Sequence, residues 1–218
     1  MGRTLIYIPI IHTDPDLGSL ASDVEEKAMR LLGERWKEHK RIVEQYWKEI
    51  AEYFSARGGS AFGREGKKLK GVKIFQDGLP VGGEAAQIMI DELAQAGSPN
   101  YRLLKNLSDQ GAMLLKTEDV ALLKQEYQIT KDLVAKKNLL STIASFLSYK
   151  LRKDRLLKAR DKYIAKQINS QLGDGEMGIL FLGAYHEVLP KLTKDIEIVP
   201  FKDPDKVKEY YQSLSKKL

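Results

Sequence analysis

Short, unbroken apolar runs alternate along this chain with longer stretches of helical periodicity. Residues 4–11 form the first run, β-branched and of strand length. A strand covered on both faces, as in a parallel sheet, has this pattern. Runs at 71–75, 112–115, 177–182 and 196–201 repeat it and predict four more strands. Ser22 with Glu25 makes a capping-box signature. From there one long helix is predicted, with Trp36, Val43, Trp47, Ile50 and Phe54 at helical spacing, until Gly58-Gly59 stops it. Further helices are predicted from Glu84 and Pro99, and Asp203-Pro204 opens the last one as N-cap and first-turn proline. Residues 119–171 contain neither glycine nor proline, and Leu133, Leu140 and Leu147 mark an apolar stripe there.

This alternation predicts an α/β fold, a mostly parallel five-stranded sheet flanked by helices, with a long helical hairpin or arm. Residues 1–218 are expected to form a single α/β domain carrying 119–172 as a long helical insertion. A homodimer through the long helices is the expected assembly.

Composition narrows the chemistry. Without cysteine, disulfides, thiolate metal sites and a cysteine nucleophile are excluded. Histidine chemistry must use His12, His39 or His186, the three histidines of the chain. No segment approaches the roughly 20 apolar residues that span a bilayer, so no membrane partner is expected and the cytoplasm is the default location. The net charge of +6 gathers in residues 64–70 and 150–166. Aromatics are not interleaved with these cations as nucleic-acid binding would want, so they read as a solvated helix face and nucleic acid is not expected as a partner.

Open parallel sheets hold ligands outside the carboxyl ends of their strands. The first predicted strand ends at His12, the second at Asp77, the third at Thr117-Glu118 and the fourth at His186. Two of three histidines thus fall at one edge of the sheet if it is parallel. Each has a plainer reading. His12 and His186 could cap the turns that follow, Asp77 before Gly78 is a common turn residue, and Thr117 could be an N-cap with Glu118 in the first helical turn. Asp14 and Asp16 shape a turn around Pro15, and His39, on an apolar face, is a packing residue. Two imidazoles and a carboxylate, His12, His186 and Asp77, could bind a divalent metal ion. Without metal the same three could do acid–base work.

Residues 160–168, Arg-Asp-Lys-Tyr-Ile-Ala-Lys-Gln-Ile, and 178–186, Gly-Ile-Leu-Phe-Leu-Gly-Ala-Tyr-His, resemble the C-terminal half of the TraB/ChaN/erythromycin-esterase-like superfamily. Its members carry an arginine-containing helix and then a hydrophobic strand ending in G-x-x-H. An earlier G-x-x-H and a carboxylate after the next strand complete the pattern. Here the earlier motif is Pro9-Ile10-Ile11-His12, with the histidine but not the glycine, and Asp77 stands where a glutamate is usual. The resemblance implies an α/β fold with a site of His12, Asp77, Arg160 and His186. The superfamily includes metal-dependent proteases, esterase-like members and a haem-binding group. It also raises Arg160 from one more solvated cation to an oxyanion or carboxylate binder.

Three functions are therefore expected to compete. One is a hydrolase, with or without a divalent metal, acting on a small-molecule or peptide ligand. The second is a non-catalytic protein binding haem or an anionic small molecule, with Tyr185 and Glu118 as further cofactor contacts. The third is a dimeric structural or interaction protein.

Overall fold

The computed structural model describes residues 2–13, 16, 21–57, 69–135 and 143–215. Its strands are β1 (Arg3–Ile10), β2 (Lys73–Gln76), β3 (Met113–Leu115), β4 (Met177–Gly183) and β5 (Ile196–Pro200). They pair in parallel throughout, in the order β3-β2-β4-β1-β5. Each strand lies within two residues of its apolar run. The helices are α1 (Ala21–Leu32), α2 (Glu34–Arg57), α3 (Gly83–Gln95), α4 (Pro99–Asp109), α5 (Val120–Ala135), α6 (Ile143–Gln171) and α7 (Pro204–Ser215).

Side chains alternate across a strand, so the two faces of the sheet collect different residues. Ile6, Ile8 and Ile10 of β1, with Ile179 and Phe181 of β4, pack against Val43, Trp47 and Ile50 of α2, Ile90 of α3 and Leu104 of α4. Leu5 and Tyr7, with Leu180 and Leu182, pack against Ile164 and Ile168 of α6. Burying each such aliphatic or aromatic side chain contributes about 1.5–3 kcal/mol. The crossovers leaving β1 and β2 therefore lie on one face. The chain leaving β4 turns to the other face, where Val188 joins the α6 layer. β4 sits between β1 and β2, so its carboxyl end is where the crossovers part company, the place at which open sheets of this kind hold ligands.

The single long helix expected after Ser22 is two helices. Gly33 breaks it at φ 53, its N–H reaching back to the Met29 carbonyl at 2.9 Å, the left-handed ending that glycine permits. α1 is already under way at Ala21, which places Ser22 inside the first turn rather than before it. α5 and α6 pack on each other between β3 and β4 and form the expected helical hairpin. The stripe of Leu133, Leu140 and Leu147, and with it the dimer contact, lies outside the described residues and side chains, as do Gly58-Gly59, Asp14-Pro15 and most of the cationic stretch 64–70. Among the described residues, no helix is long and apolar enough to cross a membrane.

Candidate functional site

Each predicted strand end is held in place by its own local device. At β1 the Tyr46 hydroxyl donates to the Pro9 carbonyl (2.5 Å) and the Trp47 indole N–H to the Ile11 carbonyl (3.0 Å). These α2 side chains belong to the core stripe, and they also pin the backbone from which His12 emerges. Asp77 extends the β2–β4 ladder by one residue, its N–H donating to the Phe181 carbonyl at 2.8 Å. At β3 the Thr117 hydroxyl accepts from the Gln76 N–H (3.0 Å) and donates to the Leu115 carbonyl (3.1 Å). Thr117 is thus not the helix cap. Asp119 is, with Oδ1 accepting from the Ala121 and Leu122 N–H groups at 2.8 and 3.1 Å. Glu118, released from the helix turn, points into the protein and is fully buried.

The four strand ends meet around Asp77. Its Oδ2 faces Nε2 of His12 at 3.5 Å and Nε2 of His186 at 3.6 Å, and accepts the Gly183 N–H at 3.0 Å. Its Oδ1 accepts from Nη2 of Arg160 at 2.6 Å. Arg160 also donates to Glu118 Oε1 from Nη2 (2.5 Å) and Nε (3.1 Å), and from Nη1 to Glu126 of α5. Behind His186, Asp161 bonds Nδ1 at 2.6 Å and accepts the Glu187 N–H at 3.0 Å. Gly183 has a spatial reason. A Cβ there would stand 3.0 Å from Asp77 Oδ2, 3.6 Å from His186 Cδ2 and 3.8 Å from His12 Nε2, so a side chain would push into the cluster.

Electrostatics divides these groups by role. Burial alone would raise the Asp77 carboxyl, but the neighbouring His186, His12 and Arg160 outweigh it and hold it well below the usual carboxylate range. For Glu118 burial wins over the guanidinium, and its carboxyl is pushed up to about 7. Its Oε2 is buried and finds no hydrogen-bond partner among the described residues. Such an unpaired oxygen costs about 1–3 kcal/mol, more when charged, so holding a proton relieves it. Burial opposes the charged forms of His12 and His186. The Asp77 carboxylate beside both, helped at His186 by Asp161, nevertheless raises their pKa values above the ordinary 6.5.

The geometry corrects two expectations, the metal triad and the place of Glu118. Among the described residues, the donor atoms that lie within 4.8 Å of one another belong to Asp77, Glu118 and His186, not to the triad His12, Asp77 and His186. His12 touches Asp77 from the outside, its side chain 42% exposed. Arg160, 4% exposed, gives Nε and Nη2 to buried carboxylates, the carboxylate-binding one of the two roles expected for it. Glu118 is no first-turn dipole partner. Tyr185 is exposed on the turn before His186. Asp16 does shape its turn, Oδ2 accepting the Thr13 N–H at 2.6 Å, and stands 3.9 Å from His12 Nδ1. His39 packs against Trp36 and bonds the Tyr210 hydroxyl at 2.9 Å.

Two members of the cluster were missed in the sequence. Asp161 falls on the stripe of Ile164, Ala165 and Ile168, at i+3, i+4 and i+7, and that spacing could have flagged it as a buried acid. Glu126, on the outer side of α5, carries no comparable signal. Comparison with known protein families, curated proteins and solved structures finds no match for this chain.

Proposed function

We propose that the protein is a hydrolase of the TraB/ChaN/erythromycin-esterase-like type, with its water activated at the carboxyl rim of the sheet. One observation carries this reading. A single buried carboxylate oxygen, Oδ2 of Asp77, faces both imidazole nitrogens while Arg160 holds the other oxygen. His12, the exposed imidazole, takes the proton of an attacking water in its neutral form and returns it to the leaving group. Asp77 orients the ring and stabilises the imidazolium. Arg160 and His186 keep Asp77 ionised, and Asp161 fixes His186.

A divalent ion is the second reading, and the 3.6 Å separation of His186 Nε2 from Asp77 Oδ2, with Glu118 beside them, favours it. Ligands about 2.0–2.1 Å from a common ion stand roughly this far apart, and Asp161 behind His186 is the carboxylate that metal-bound imidazoles usually have. The guanidinium takes Asp77 Oδ1 and Glu118 Oε1, so an ion would be held on the remaining oxygens, Asp77 Oδ2 and the unpartnered Glu118 Oε2, together with His186. It would supply a bound water of lowered pKa.

Metal analysis of protein purified without a histidine tag separates the two readings, and a panel of esters and peptides tests both. Hydrolysis is expected, lost in His12→Ala and in Asp77→Asn. The acid limb of the pH–rate profile is expected above pH 6.5, because the His12 pKa is raised. Protein that turns over nothing in the panel and is indifferent to His12→Ala removes the proposal. A metal-free active enzyme removes the ion alone.

A further inference from the structure

Two side chains of the cluster reach solvent: His12 at 42% exposure and Glu126 at 44%. Asp77, Arg160, Glu118, His186 and Asp161 behind them are each 5% exposed or less. Both touch the same buried pair: His12 faces Asp77 Oδ2 at 3.5 Å, and Glu126 accepts from Arg160, whose Nη2 holds Asp77 Oδ1 at 2.6 Å. Arg160 gives Nε and Nη2 to carboxylates on the inner side, and Nη1 goes to Glu126. Of the three carboxylates on the guanidinium, Glu126 is the half-exposed one, at 44% against 5% and 0% for Asp77 and Glu118. Water screens the exposed end of this pair and a long side chain must be held still to make it, so Glu126 holds the guanidinium less firmly than the two buried carboxylates do. A second carboxylate of equal charge can replace it, and the planar fork of arginine suits carboxylates well.

We infer that Glu126 holds the place of the substrate's own carboxylate. The site takes a small molecule or peptide bearing a carboxylate, which displaces Glu126 from Arg160 Nη1 and extends from there towards His12. Glu126 stays on α5 when displaced, so a carboxylate adds one negative charge to the site. A phosphate dianion would bring more negative charge close to Asp77 and Glu118, so phosphate is the poorer ligand. The binding claim rests on the geometry alone; only the bond-breaking beside it depends on the hydrolase reading.

The test uses acetate and inorganic phosphate as probes on the intact chain, at matched ionic strength. The NMR signal of the Arg160 Nε–H is followed, assigned by its disappearance in Arg160→Lys. Acetate is expected to shift that signal. Glu126→Gln and Glu126→Ala are each expected to tighten acetate binding about fivefold, the scale of a half-exposed ion pair. Unchanged or weaker acetate affinity in both variants overturns the inference, as does acetate that moves signals elsewhere and leaves Arg160 untouched. Phosphate binding more tightly than acetate overturns the carboxylate assignment. If acetate binds as expected but nothing is hydrolysed, the hydrolase reading falls and this one stands. If acid-free esters are hydrolysed as fast as acid-bearing ones and Glu126→Gln changes neither rate, this inference falls and the hydrolase stands.

Discussion

The two rims of the sheet each hold a buried arginine, and the arginines are treated differently. At the amino rim Arg3 donates to Asp195 through Nε (2.7 Å) and Nη2 (2.9 Å), to the Thr193 hydroxyl (2.5 Å), and through Nη1 to the Asn169 and Leu172 carbonyls (2.9 Å each). Those carbonyls lie at the end of α6, where a cation is favoured. One charge meets one charge, and neutral groups take the remaining N–H bonds. At the carboxyl rim Arg160 meets Asp77, Glu118 and Glu126 together, and Glu118 Oε2 is left without a partner. The first arrangement ties down a helix end. The second concentrates negative charge around one buried cation, the kind of arrangement in which pKa values are displaced.

The contrast can be broken by substitution. Arg160→Met should have the largest effect. Stranding buried carboxylates costs about 3–5 kcal/mol, read as a lowered urea midpoint, and Arg3→Met should lower it less. If the two variants lose equally, the rims are equivalent and the functional reading of the carboxyl rim loses its basis. Gly183→Ala should come next, costing about 1–3 kcal/mol and displacing Asp77, with hydrolysis lost more completely than stability.

Glu118→Gln sharpens the comparison through pH. The Glu118 carboxyl titrates near 4.5 when unfolded and near 7 when folded. The native state therefore binds the extra proton between these values, and the stability tied to this group falls as pH rises from about 4.5 to about 7. Glu118→Gln should flatten that decline and leave the protein more stable than wild type above pH 7, as thermal melts across pH would report. The smallest effect belongs to the amino rim. Glu176 there accepts from Lys73 and from the Gly173 N–H. Glu176→Gln should change stability by at most about 1 kcal/mol, with activity intact.

Much of this was legible in the sequence, for identifiable reasons. Apolar runs such as residues 177–182 have one stable use in a domain of this size, a strand covered on both faces. His12, Asp77 and His186 could be placed at strand ends because each directly follows such a run. Gly33 went unseen because the apolar spacing of the helix continues past it, and one glycine is an ambiguous signal inside a helix. Thr117 and Asp119 both have capping side chains, and only the backbone path shows that Asp119 is the cap. Arg160 and Asp161 sit in a run of exposed cations whose composition says nothing about which two turn inward.

By itself, then, the chain determined its elements, their parallel alternation and the residues that end each strand, because hydrophobic period and local turn chemistry are short-range properties. The strand order, which sets β4 between β1 and β2, was decided only in three dimensions. So was the meeting of His12, His186 and Asp77 at one carboxylate oxygen, with Arg160 behind it and Glu126 across it. Those contacts join residues more than 100 positions apart, as between Asp77 and His186. They depend on how whole layers pack around the sheet, and no local pattern encodes that.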